Sequence, residues 1–459
     1  MLDVRRSFFV GFLAIWLALA PYALAQKTSG TITGTVTDDS GAVVADANVS
    51  ATSAETGATR ANRTNSEGSF SFPELNPGVY RVTVAKQGFK TVETRNVALH
   101  VSDITNVAIR LSVGALTETV TVEASAVQVE TQTGAVGNVV NGQQVRELPL
   151  NGRNFVQLTT LMPGAAVAEG FDPKNKGLLS SVDISFSGAP ANANQWLVDG
   201  ANNNDVGSQH TILIYPSIDA IEEFKILRNS YGPEYGGAGG SQVNIVTRGG
   251  GNDFHGSAFY FGRNDALNAK NYLLGPADRK QLLRRNDYGY TFGGPIKKDK
   301  IFFFWSEEWN KEKRARVRAN QVPTALMRTG DFSEMLKTPT FEGCDGTVGS
   351  RSNQIPIDPA TGQPFAGGII PADQVSPAGQ AWLSQISLPN RADPCVINWV
   401  QAVTIPVTWR EENVRGDINI TKKNVLTLRF TNDAWKNALH SDEEGGLWGE
   451  QNYPSLSGA

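Results

Sequence analysis

What most limits the folds open to this chain is where its apolar residues stop running together. Residues 8–20 form one apolar run, preceded by Arg5 and Arg6 and followed by Ala23-Leu24-Ala25. The run is too short to span a bilayer with ease, and the basic, apolar, small-residue order is that of a secretory signal. Residues 1–25 therefore read as a signal peptide, with cleavage expected before Gln26. Beyond it no segment reaches the about 18 unbroken apolar residues that a membrane helix needs. An exported chain of this kind can enter a membrane only as strands, whose backbone groups pair with one another in lipid.

Composition suits that reading. Only 19% of the residues are charged, whereas glycine (46) and aromatic side chains (9%) are plentiful, as expected of many strands joined by tight turns. The formal charge is -4, and without Asp3, Arg5 and Arg6 it becomes -4 - 2 + 1 = -5. A mildly acidic chain with no basic block argues against nucleic acid as its partner.

Residues 30–112 alternate with period two. Ile32, Gly34 and Val36 interleave with threonines, Phe70 and Phe72 follow the turn Asn65-Ser66-Glu67-Gly68, and Val79-Tyr80-Arg81-Val82-Thr83-Val84 alternates after Asn76-Pro77-Gly78. Val107, Ile109 and Leu111 read as the last strand. Such runs, with a turn every eight to twelve residues or so, predict a β-sandwich. Next, Thr117 to Val122 is β-prone and short, with no partner evident nearby. Its backbone groups need pairing, either from an incoming sheet edge or by closing the sandwich as a linker strand.

From Phe254 onward the alternation returns with aromatics at strand ends: Phe254 and Tyr260, then Tyr288, Tyr290 and Phe292, a polar turn over 293–300, and Ile301-Phe302-Phe303-Phe304-Trp305. Later Val414, Gly416, Ile418 and Ile420 oppose Arg415, Asp417 and Asn419, and Leu426, Leu428 and Phe430 oppose Thr427 and Arg429. Strands of this kind are those of an outer-membrane barrel, although a soluble sandwich shows the same alternation. Between these hairpins, about 311–410 reads as an irregular Pro/Gly-rich loop holding both cysteines, Cys344 and Cys395. In an oxidising compartment these two could form one loop-stapling disulfide.

Several motifs are similar to known families. Gly34-Thr35-Val36-Thr37-Asp38, Asp46-Ala47-Asn48-Val49, Asn65-Ser66-Glu67-Gly68-Ser69-Phe70 and Pro77-Gly78-Val79-Tyr80-Arg81-Val82 resemble the carboxypeptidase regulatory-like domain. That family has a transthyretin-like sandwich within the carbohydrate-binding-like fold, and in it the module is an accessory that implies no peptidase. Further on come Leu148-Pro149-Leu150-Asn151-Gly152-Arg153-Asn154-Phe155, Trp196-Leu197-Val198-Asp199-Gly200, Ile221-Glu222-Glu223-Phe224-Lys225 and the Gly-rich turn leading into Gln242-Val243-Asn244-Ile245-Val246-Thr247-Arg248. This ordered series resembles the plug of TonB-dependent receptors of the Oar-like type.

The resemblance implies a mainly β chain: the sandwich over 26–112, a linker over 113–124, an α+β plug over 125–250, and the first strands of a transmembrane β-barrel over 251–459. Before the plug, Glu118, Thr119, Val120, Thr121 and Val122 occupy the family's TonB-box position, which implies pairing with an edge strand of the TonB energy-coupling protein. Outer-membrane lipid and an unidentified extracellular ligand, a carbohydrate or another large nutrient, would be the other partners. The about five to seven barrel strands fall short of the at least about eight of a bacterial barrel, so a missing C-terminal part is expected. A non-transporting surface or adhesion protein with a sugar-binding sandwich is the alternative.

Other chemistry is poorly supported. The glycines before Gln242 open a strand with no following Gly-Lys-Ser/Thr, unlike a phosphate cradle. His440-Ser441-Asp442-Glu443 has a zinc-like spacing but lacks the distant downstream histidine of a metallocarboxypeptidase, and reads as solvated charge. Asp199-Gly200-Ala201-Asn202-Asn203-Asn204-Asp205 is oxygen-rich yet lacks the bidentate glutamate of a calcium loop, and reads as a polar turn. No catalytic nucleophile, metal site or cofactor is expected, and the chain reads as no enzyme.

Overall fold

A computed structural model describes residues 28–124, 132–168, 171, 176, 180–237, 239–269, 280, 282–337, 340–342, 348–350, 355–390, 398–421, 424–438 and 455–458. The expected signal at 1–25, Cys344, Cys395 and the stretch from His440 to Glu443 lie outside these described residues. The chain is mainly β. It forms two compact units, one of Met1–Ala258, Tyr290–Glu307 and Glu411–Asn432, the other of Phe259–Gly289, Glu308–Arg410 and Asp433–Ala459.

The first nine strands are β1 (Gly30–Asp38), β2 (Asn48–Ser53), β3 (Thr59–Arg63), β4 (Ser69–Leu75), β5 (Gly78–Ala85), β6 (Thr91–Leu99), β7 (Ile104–Asn106), β8 (Ile109–Leu111) and β9 (Thr119–Glu123). They make two sheets, β4-β1-β7 with β8 also on β1, and β3-β2-β5-β6-β9. Alternation puts Tyr80, Val82 and Val84 inside while Arg81 points out. Ile32, Val36, Val49, Phe70, Val97 and Leu99 share the same apolar core. Each large side chain so buried contributes about 1.5–3 kcal/mol. Gly34 is required by close approach: a Cβ there would stand 2.1 Å from the Val107 carbonyl oxygen. The buried Thr64 hydroxyl accepts from Ala47 N (2.8 Å) and donates to Val44 O (2.8 Å), tying the loop before β2 to the end of β3.

The expected last strand at 107–111 is different in the structure. β7 and β8 lie parallel to successive parts of β1, with Val107 N donating to Thr33 O between them (2.8 Å). The last strand is β9, which joins the other sheet.

The middle of the chain builds a five-stranded sheet from β10 (Val136–Asn141), β13 (Gln195–Val198), β14 (Ala201–Asn202), β15 (Ile221–Asn229) and β16 (Gln242–Thr247), in the order β10-β15-β16-β13-β14. A separate pair, β11 (Ala165–Val167) and β12 (Ile184–Phe186), lies beside it in sequence. After β10 a short helix, Gly142–Glu147, begins with a capping box between Asn141 and Gln144. β16 is buried at every position, because a central strand covered on both faces has no solvent side to alternate with. Phe155 packs edge-on against both Trp196 (6.4 Å between centroids) and Phe224 (6.1 Å).

The remaining strands are β17 (His255–Asn264), β18 (Leu283–Lys297), β19 (Ile301–Asn320), β20 (Thr340–Glu342), β21 (Val348–Ser350), β22 (Trp399–Asn419), β23 (Val425–Ala438) and β24 (Ser455–Gly458). Hydrogen-bonded order is β17-β18-β19-β22-β23-β24, an open sheet among the described residues. Two expected boundaries move. β18 continues to Lys297, leaving a much shorter turn than 293–300. The irregular loop expected over 311–410 shrinks from both ends, because β19 reaches Asn320 and β22 starts at Trp399. Charges at consecutive positions from Lys311 to Arg314 hide the alternation there. The ladder nevertheless continues, with Ala315 N donating to Leu282 O (2.8 Å) and Arg285 paired to Glu312.

Candidate functional site

β9 is the outer strand of its sheet. It runs parallel to β6 with Val92 opposite Val120, Glu93 opposite Thr121 and Thr94 opposite Val122. The expectation that this segment has no nearby partner is therefore corrected: β6 satisfies one side of it. Thr91 N donates to Glu118 O (2.8 Å) and Ala124 N to Arg95 O (3.0 Å). Lys90 pairs with Glu118 (2.7 Å), and Asn96 Nδ2 donates to Glu123 Oε2 (2.6 Å).

A parallel ladder alternates sides residue by residue, so those two bonds assign the rest. Val120 and Val122 turn their backbone groups to β6. Thr119, Thr121 and Glu123 turn theirs to an edge on which no further strand lies among the described residues. All five residues of β9 are exposed. Val120 and Val122 stand on the core side of the sheet, beside buried Val92 and Thr94, yet keep 40% and 45% of their surface in solvent. What β9 presents is a preformed strand edge with an apolar rim, the arrangement that accepts another strand.

Downstream, the sequence motifs form two part-buried polar groups. Arg153, in the left-handed region at φ 50, donates from Nη2 to Asp219 Oδ2 (2.6 Å) with both side chains nearly buried. Asp199 Oδ1 accepts from Thr247 N (2.8 Å), while its Oδ2 accepts from Thr247 Oγ1 (2.5 Å) and Arg429 Nη1 (2.6 Å). Arg415 donates to Thr247 O (2.5 Å) and grips both oxygens of Asp417 (2.9 and 3.2 Å). Asp199 is thus occupied by protein donors. Asn202 Oδ1 accepts from Gln195 and Asn204 N, and Asn204 Oδ1 from Trp196 N, so the oxygen-rich stretch is a polar turn.

A second polar contact was not anticipated from the sequence. The loop between β6 and β7 reaches β15, where Glu223 Oε1 accepts from Val101 N (2.6 Å) and Oε2 lies 2.6 Å from His100 Nδ1. Lys225 Nζ donates to Asp103 Oδ1 (3.2 Å). The signal was present: charges interleaved with the apolar residues Ile221, Phe224 and Ile226 demand partners where they are buried, as Glu223 and Lys225 are, since an unpaired buried charge is costly. Finding the partners required the fold.

Two family models match the chain: a carboxypeptidase regulatory-like domain over residues 31–112 and an outer membrane beta barrel domain over 246–455. The TonB-dependent transporter Oar of Myxococcus xanthus is 29% identical over 294 residues, covering 60% of this chain. The chain spans 26% of that relative's length. Similar solved structures include the outer membrane transporter YddB from Escherichia coli (TM-score 0.36, 10% identity, 65% of this chain and 33% of that one). The siderophore receptor PirA from Acinetobacter baumannii is another (TM-score 0.30, 14% identity, 66% and 44%).

Proposed function

We propose that this chain, a homologue of Oar-type TonB-dependent transporters located in the Gram-negative outer membrane, serves energised uptake through that membrane. Its homologue is a transporter, not an enzyme, and the part-buried ion pairs fit that reading, since their charges are committed to one another. On this reading residues 26–112 are a transthyretin-like periplasmic sandwich and 125–250 an α+β plug. The strands from 251 onward begin a lipid-facing barrel, and a ligand is taken from outside. Cys344 and Cys395 would staple the external loop.

The observation that carries the proposal is the edge of β9, between sandwich and plug, on which no further strand lies among the described residues. A strand of TonB adding there would gain main-chain hydrogen bonds to Thr119, Thr121 and Glu123, and an apolar residue at alternate positions would cover Val120 and Val122. Force applied along such a ladder acts on β9 and on the chain that follows it into β10.

Thr121→Pro tests this. Proline removes one outward-facing N–H without touching the bonds of Val120 and Val122 to β6. The full-length chain in outer-membrane vesicles should lose binding of the TonB periplasmic domain at least about tenfold, roughly one to two hydrogen bonds' worth. Val120→Pro should instead loosen β9 from β6. Undiminished TonB binding by the Thr121 variant would reject the reading and leave β9 as a strand that merely closes the sandwich.

A further inference from the structure

Residues 100–103 lie across β15 and β16 of the middle sheet. Val101 N and His100 both engage Glu223, while Lys225 Nζ donates to Ser102 O (3.3 Å) and Asp103 Oδ1 (3.2 Å). Asn244 of β16 donates from Nδ2 to Ser102 Oγ (3.0 Å). Ser102 sits in the left-handed region at φ 55, which turns the loop so that backbone and side-chain groups point the same way. Glu223 and Lys225 are almost wholly buried, at 6% and 3% exposure, so the loop supplies partners that these charges could not do without. The His100 side chain keeps 38% of its surface exposed and can exchange a proton with solvent.

We propose that His100–Asp103 form a pH-sensitive latch fastening the N-terminal sandwich to the middle sheet, tight while His100 is protonated and looser when it is neutral. The charged groups facing His100 are Glu223 and Lys225 from β15 and Asp103 from its own loop; β16 contributes only the neutral Asn244. Two carboxylates against one ammonium favour the imidazolium. The hydrogen bond to Glu223 is the largest cause raising the His100 pKa above its ordinary value, and burial works against it. Because the docked value is raised, the stabilisation is fully present below the free value of about 6.5. It is lost as pH rises through the docked value. This device does not depend on any role for β9.

The amide of Val101, which donates to Glu223, reports the latch directly. Hydrogen–deuterium exchange of the full chain in detergent micelles should give a Val101 protection factor clearly lower near pH 8 than near pH 5.5, as the Glu223 contact loosens with loss of the His100 proton. His100→Gln should make that protection low and flat with pH, and His100→Lys should make it high and flat. Unchanged exchange at Val82 and Val84 serves as the control that the sandwich remains folded. A wild-type protection factor that does not change with pH overturns the latch, and so does a His100→Gln chain that keeps the wild-type slope.

Discussion

The N-terminal sandwich and the six-stranded sheet share one sequence rhythm and use it in opposite senses. In the sandwich the apolar member of each alternating pair is hidden, as with Val82 and Val84 at 0% exposure. In the later sheet Arg285, Asp287, Thr291, Glu411, Asn413 and Asp417 are buried, while Tyr260, Leu428 and Phe430 are 58% or more exposed. Period two dictates that a segment is a strand with two unlike faces. Which face meets solvent depends on what that solvent is, and an apolar exterior over a polar interior is the pattern expected of the lipid-facing strands proposed above.

Placing the same charge on the apolar face of each sheet tests this inversion. Val82→Arg puts a cation in a closed core with no partner and should abolish folding of the sandwich, a loss of about 4–5 kcal/mol or more. Urea titration followed by proteolysis within residues 30–124 would read it. Leu428→Arg on the outer face should cost less, about 2–4 kcal/mol against insertion into lipid vesicles. It should leave the sandwich's urea midpoint untouched; unimpaired insertion would mean that this face does not meet lipid. Smallest is Arg63→Ala. The Arg63–Asp46 pair (2.8 Å) is exposed on both sides, so the sandwich's melting temperature should not move measurably, whereas a clear fall would show that its outer face depends on such pairs.

The sandwich was legible because its turns are signed by residues with one job each: Asp38 accepts from Ser40 N and Ala42 N (2.9 Å each), and Gly41 takes φ 85. Those donors also hold the Asp38 carboxyl below its usual value, the Ser40 hydroxyl most strongly. Strand ends after 310 were not legible, because charges on both faces of Lys311-Glu312-Lys313-Arg314 erase the period that strand reading relies on. The sequence marked Glu118 to Val122 as a strand, which the structure places one residue later at Thr119–Glu123, but its pairing was not legible. A five-residue strand has no local signal for which neighbour it will join, and β6 is 28 residues earlier at each paired position.

By itself the sequence determined that no segment after residue 25 is a membrane helix, that strands would dominate, and where the alternating faces lie. Tertiary structure alone decided that β9 pairs with β6 on one side and with no further strand among the described residues on the other, and that Glu223 is answered by His100. Alternation and turn chemistry are local, encoded within a few residues. The partner of an edge strand or of a buried charge is chosen by chain closure over many residues, and no local pattern records it.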